Sequence, residues 1–271
     1  MPKCDALVVI AHPDDEIFVS ATICLCVQRG FSVTLVCVTD GGGGALVAAA
    51  GEPLGEIRKR ELANSARALG VGEVACLGFA DIADPACNGS GAWDQPRLIA
   101  LLRATIEASG ARLILTHGPL GGYGHPAHKL VYRCVMAAAG EASYAGSIFS
   151  FCGQVAGAFF SWHFDQPSTV RVDARAFQPR RIESLAAHRS QIDFFLQPYP
   201  PQTLRKQLSA LFGGAFAWTQ AGRKRIPIGA PARFFARFAV EGLVLQQAPM
   251  DRPTDFFHEH FADDDRVQFA P

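Results

Sequence analysis

The sequence predicts an α/β protein: a Rossmann-like, mostly parallel sheet with helices on both faces, plus a small C-terminal β/α extension. Three observations carry that expectation. Apolar, β-rich runs alternate with helix-compatible segments through the first 140 residues, the pattern of successive βαβ units. Those runs are continuously apolar, as strands covered on both faces must be. Hydrophobic residues make up 49% of the 271-residue chain and charged residues 18%, so a substantial core can be buried.

Residues 6–11, ALVVIA, read as the first strand, followed by the polar turn HPDDE and helix-compatible residues as far as Arg29–Gly30. Residues 31–39 read as a second strand ending in the glycine-rich loop 40–44. Leu54–Leu69 is a charged amphipathic helix that stops at Gly70, a natural C-cap. A strand at 74–79, a helix at 96–109 and a strand at 112–116 follow, and the loop HGPLGGYG leads into a helix from about His125 to Ala139. Right-handed crossovers bring the carboxyl ends of these strands to one rim, where such sheets bind ligands. That rim gathers residues 12–16, 40–44, 79–84 and 117–128.

After residue 146 the pattern changes. Segments 147–155, 157–164 and 169–172 look like short strands, 179–195 like a helix, and the remainder is poorly periodic. An acidic tail around Asp263–Asp265 is expected to be loose. Residues 1–195 are therefore read as the catalytic α/β unit. Residues 196–271 are read as an extension packed on or near the rim, within the same domain.

Composition removes several function classes. Lys plus Arg equals Asp plus Glu at 25 each, so no long-range field attracts nucleic acid or an anionic membrane. The N-terminal apolar run meets charge too early for a signal peptide, and the apolar stretch 17–27 falls short of the roughly 20 residues a membrane-spanning helix needs. Eight cysteines form no CxxC pair and sit mostly in apolar runs, as reduced thiols of a cytoplasmic protein do. The 20 Phe residues fall mostly after residue 146 and read as core, although exposed clusters of them would favour a homo-oligomer.

Chemistry concentrates on the rim. His12 and Asp15 sit in the turn after the first strand, while His125 and His128 are spaced i, i+3 at a helix start and share one face. Two imidazoles and one carboxylate leave a coordination position open for water, as catalytic zinc requires. An adjacent carboxylate such as Asp14 would act as general base, and a nearby histidine would stabilise the oxyanion or protonate the departing amine. Spacing alone does not distinguish Asp14 from Asp15. Each piece also has a plain explanation, since an Asp-Asp pair after a strand is often a helix N-cap and a lone His is usually structural. Joint placement on one rim is what favours a site. Gly41–Gly44 lacks both the GxGxxG spacing and a P-loop Lys, so it reads as a loop at the site mouth.

The run AHPDDE after an apolar strand, with GHPAH more than a hundred residues later, resembles the PIG-L/LmbE-type N-deacetylase family. TDGGGG, IRKRELANSARALGV, LGFAD and AAHRSQ are similar to further family segments, so the resemblance covers roughly residues 5–195. It implies hydrolysis of the N-acetyl amide of an N-acetylglucosamine-type sugar, with Zn2+ held by His12, Asp15 and His128; Fe2+ or another divalent ion would suit the same ligands. It makes Asp14 the base and His125 the partner of the tetrahedral intermediate. Arg58 and Asp81 look like sugar-binding positions, and Phe79, Trp93 and Tyr123 are rim aromatics able to stack on a sugar or simply to anchor loops. The expected partner is a small-molecule amino sugar, with an apolar aglycone suggested by the Phe-rich later loops.

One departure stands out. The family commonly reads HPDH, and this chain has Ala127 in place of the second acid. That acid would favour the charged form of the first histidine, so its loss implies a replacement carboxylate, lower activity or a shifted pH optimum. The alternative function is thus a catalytically impaired or non-catalytic, metal-containing glycoside-binding protein of the same fold. Non-haem iron oxygenases share the ligand types, but the parallel α/β pattern disfavours them.

Overall fold

A computed structural model describes residues 2–43, 51–81, 93–151, 166–191, 239–250 and 254–270. Eight strands form one sheet: β1 (Ala6–Ile10), β2 (Val33–Thr39), β3 (Glu73–Phe79), β4 (Leu113–Thr116), β5 (Ser147–Phe151), β6 (Val170–Asp173), β7 (Val240–Gln247) and β8 (Val267–Phe269). Their order is β3-β2-β1-β4-β5-β7-β6-β8. The first five run parallel, and β7, β6 and β8 add an antiparallel edge. Among the described residues the helices are α1 (Ser20–Gln28), α2 (Leu54–Leu69), α3 (Gln95–Ser109), the single turn α4 (Gly121–Gly124), α5 (Pro126–Glu141), α6 (Gln178–Ala187) and α7 (Phe256–Phe261).

The strand period of two builds the two cores directly. Ala6, Val8 and Ile10 of β1 pack on one face with residues from α1, α2 and α7. Leu7, Val9 and Ala11 face the other way, into a core with residues from α3 and α5. Every residue of β1, β2, β4 and β5 is buried, so the continuous apolar runs follow from burial on both faces. Among these five parallel strands, only the edge strand β3 shows exposed positions. Helix ends follow local chemistry: Gly70 and Gly110 close α2 and α3 in the left-handed conformation, and Asp94 caps α3 by accepting the Arg97 N–H.

Strand order reverses between β1 and β4, because the chain winds from β1 out to β3 and then resumes on the opposite side. The crevice outside the carboxyl ends of β1 and β4 is the binding position of such a sheet.

Several local expectations shift. A 3₁₀ turn at Asp15–Val19 precedes α1, which begins only at Ser20. The segment expected as a strand over 147–155 is a strand over 147–151, and 152–155 and 157–164 lie outside the described residues. The helix expected over 179–195 stops at Ala187 and gives way to a turn. The poorly periodic C-terminal part contains β7, α7 and β8, with β7 inserted between β5 and β6. The acidic tail is anchored: Asp264 is 7% exposed and accepts from Arg29 (3.1 Å) and Arg266 (2.7 Å).

Cys4, Cys24, Cys26, Cys37, Cys76 and Cys134 are free thiols, while Cys87 and Cys152 lie outside the described residues. No described helix is long and apolar enough to cross a membrane.

Candidate active site

Two turns bring the site together. After β1, the Asp15 carboxylate accepts the His12 N–H at 2.7 Å, closing a tight turn. Inside that turn Asp14 has φ 120°, a left-handed conformation that a non-glycine residue adopts at a cost of about 1–3 kcal/mol. Its N–H donates to Glu16 Oε2 at 3.0 Å. Across the crevice, His125 caps α5 by accepting the Ala127 N–H on Nδ1 at 3.3 Å, with Pro126 in the first turn. Gly121 (φ 71°) lets the preceding loop pass close by, since a Cβ there would lie 2.9 Å from the Lys129 side chain.

His12 Nδ1 lies 3.3 Å from Asp15 Oδ2, His128 Nε2 lies 3.2 Å from Asp15 Oδ1, and the two ring nitrogens are 3.3 Å apart. An ion bonded to nitrogen at about 2.0–2.1 Å with tetrahedral angles spaces its ligand atoms about 3.3–3.4 Å apart. The two ring nitrogens stand at that spacing from each other, each within 3.2–3.3 Å of a different oxygen of Asp15, and all three residues are buried. Two further imidazoles adjoin them. The His125 ring lies 4.8 Å from that of His12 and 4.5 Å from that of His128. His117, absent from the sequence-based site, stacks on His128 at 3.9 Å with Nε2 3.4 Å from Asp15. Metal-holding groups can therefore be drawn as His12, His125 and His128 or as Asp15, His117 and His128. In His117, Nε2 already accepts the Ala11 N–H at 3.0 Å; this competes with ligation and favours a supporting position. His117 follows the last residue of β4 as His12 follows Ala11 beyond β1, and that equivalence is the signal that could have found it.

Electrostatics separate the groups. Burial opposes charge on His12, yet hydrogen bonds and charge from Asp15 and Asp81 outweigh it and raise the pKa to about 10. Burial, reinforced by His128 and His12, lowers His125 to about 2, and His117 falls to about 3 for like reasons. Burial also raises Asp14 to about 7 against the opposing charge of Arg58. Asp15 stays well below the usual carboxylate range despite burial, held there by His128 and His117.

Arg58 is 3% exposed and donates to Gly41 O (2.8 Å), Pro13 O (2.5 Å) and Asp14 Oδ2 (3.0 Å). A Cβ on Gly41 would sit 2.7 Å from the guanidinium, so the glycine loop after β2 makes room for this arginine. Asp81 places Oδ1 3.3 Å from His12 Nε2 and Oδ2 3.9 Å from Arg58. Tyr123 lies on α4, its side chain outside the described residues. Phe79 and Trp93 are buried against each other, with Trp93 Nε1 donating to Ala80 O at 2.8 Å, as loop anchors. Ala127 is 3% exposed in the apolar core beneath His125. Asp15 is the carboxylate whose charge favours protonation of His125, and burial overrides it.

The sequence-based site also omitted a buried network under the turn. Glu16 receives Ser65 Oγ at 2.5 Å and faces His188 Nε2, and Ser65 and Ser184 share a hydrogen bond of 2.7 Å.

The chain resembles known proteins in sequence and in fold. A family model described as PIG-L, GlcNAc-PI de-N-acetylase, matches residues 7–139. A 1D-myo-inositol 2-acetamido-2-deoxy-alpha-D-glucopyranoside deacetylase of Acidothermus cellulolyticus is 33% identical over 69% of this chain and 79% of its own length. Among solved structures, the N,N'-diacetylchitobiose deacetylase of Pyrococcus horikoshii is 20% identical, with TM-score 0.53 over 77% of this chain and 76% of its own. The 4-carboxy-2-hydroxymuconate hydratase of Pseudomonas putida has TM-score 0.59 at 15% identity, over 91% of this chain and 98% of its own. These structures share the fold. The class is that of the deacetylases, enzymes that hydrolyse an amide on a sugar. The chain belongs to the PIG-L family.

Proposed function

We propose that the protein is a zinc-dependent N-deacetylase acting on an N-acetylglucosaminide, with His12, Asp15 and His128 as the metal ligands. The observation that carries this reading is the convergence of the His12 and His128 ring nitrogens, 3.3 Å apart, on the Asp15 carboxylate, one oxygen within 3.2–3.3 Å of each. Zinc held there would lower the pKa of a bound water to about 7 and would polarise the acetyl carbonyl.

Asp14 is the general base, because burial places its carboxyl near neutrality. It takes a proton from the attacking water as the new C–O bond forms. His125 accepts the Ala127 N–H on Nδ1, which leaves its ring proton on Nε2 as a hydrogen-bond donor to the developing oxyanion. As the C–N bond breaks, Asp14 returns its proton to the amine nitrogen, since His125 is held neutral. Arg58 fixes the base through Asp14 Oδ2, and Asp81 orients His12 through Nε2 in the manner of a carboxylate–histidine–metal relay. The relatives' names favour an α-linked N-acetylglucosaminide of a polyol as the substrate class.

The buried Ala127 supports a second reading, a glycoside-binding protein with impaired catalysis. Amine release from N-acetylglucosaminyl-inositol, diacetylchitobiose and free N-acetylglucosamine by zinc-loaded protein separates the two. Turnover of at least one supports the enzyme, and silence on all three with tight glycoside binding supports the alternative.

A further inference from the structure

Asp14 needs its positive φ held in place, and the buried groups beneath it converge on that task. Glu16 accepts the Asp14 N–H through Oε2, while its other oxygen receives Ser65 Oγ from α2 and faces His188 Nε2 at the end of α6. Glu16, Ser65, Ser184 and His188 are all fully buried. The turn carrying His188 is itself fixed to α2, because Glu61 accepts Ser190 N–H at 2.8 Å and Ser190 Oγ at 2.6 Å. One turn earlier on α2, Arg58 holds the other side of the same segment through Pro13 O and Asp14 Oδ2. The side-chain hydrogen bonds of Glu16 and His188 thus run to the Asp14 backbone, to α2 and to each other, and stop short of the His12, Asp15 and His128 donors.

We infer that Glu16 and His188 are positioning residues for the base: the pair, braced by Ser65 and by Glu61–Ser190, locks Asp14 at φ 120° so that its carboxylate meets Arg58 beside those donors. The inference rests on the reading of Asp14 as base. A merely structural pair would hold α6 against α2 and leave turnover by the folded protein unchanged. A positioning pair acts on kcat, because a small misplacement of a catalytic group slows the reacting step with little effect on substrate binding.

The test uses full-length, zinc-loaded protein with N-acetylglucosaminyl-inositol and the variants His188→Leu, His188→Gln and Glu16→Gln. A small misplacement of a catalytic group costs about 10–100-fold in rate. His188→Leu is expected to lower kcat in that range, with KM within about threefold and zinc stoichiometry unchanged. His188→Gln, which keeps an N–H donor to Glu16, is expected to recover most of the loss. If His188→Leu does not fold, Glu16→Gln carries the test, with a similar fall in kcat expected. In an Asp14→Asn background, His188→Leu should leave the residual rate unchanged, since there is no base left to misplace.

A kcat unchanged in both His188→Leu and Glu16→Gln, with Asp14→Asn inactive, overturns the positioning role and leaves the base intact. An equal fall in both Asp14 backgrounds also overturns it. Full activity of Asp14→Asn removes the base assignment, and this inference with it.

Discussion

The parallel half of the sheet and its antiparallel edge both bury charge, and they treat it differently. At the antiparallel edge, Glu241 on β7 is 5% exposed and fully engaged: it accepts Ala21 N–H (2.8 Å), Thr22 N–H (2.9 Å) and Thr22 Oγ1 (2.9 Å) at the start of α1. Arg181 on α6 faces it at 3.4 Å and donates to Ser20 Oγ at 3.1 Å. That carboxylate caps a helix more than 200 residues away in sequence, where the helix dipole favours it. On the carboxyl-end rim of the parallel half, by contrast, four imidazoles and three aspartates crowd together. There Asp14 is strained at φ 120° and His125 is forced neutral. Saturated partners mark the structural charge, and backbone strain amid crowded imidazoles marks the proposed reactive one.

Substitutions should split along that line. Asp14→Asn is expected to lower kcat by about 10²–10⁴ with zinc retained, as loss of a general base does; amine-release kinetics beside metal analysis checks it. Glu241→Ala removes the carboxylate facing Arg181 and uncaps α1, and should cost about 3–5 kcal/mol of stability in urea unfolding, with kcat of the folded fraction unchanged. A fall in kcat there would break the division between the regions. Asp81→Asn removes the carboxylate behind His12 and should weaken zinc binding by about 10–100-fold in titration calorimetry. The smallest effect concerns pH. As the proposed base, Asp14 would act as a carboxylate and is protonated below about 7, so kcat/KM should rise with pH through that value and fall about tenfold per unit well below it. With His125 neutral throughout, no falling limb from that residue is expected above neutrality.

Much of this is legible in the residues alone, for physical reasons. The parallel half announces itself because strands buried on both faces are apolar without interruption, as in ALVVI and VTLVCVT. His12, Asp15, His125 and His128 stand out because they punctuate those strands and a helix start at one rim. β7 escapes a reading by pattern because Glu241 and Gly242 interrupt its apolar run, and Glu241 answers a tertiary demand that local pattern does not encode. His117 is hidden because it sits in a loop conspicuous for its glycines. Glu16 and His188 meet across 172 residues of chain, so no spacing rule connects them. Arg58 stands out in sequence only as a sugar-binding position; its grip on Asp14 depends on the space that Gly41 leaves.

In the proposed enzyme, His12, Asp15 and His128 hold the catalytic ion. Anomalous diffraction at the zinc edge from crystals of zinc-loaded protein tests it most directly. A single peak about 2.0–2.2 Å from His12 Nδ1, an Asp15 oxygen and His128 Nε2 is the predicted result. A peak bound through His117 instead of His12, or no peak at this rim in active protein, would contradict it.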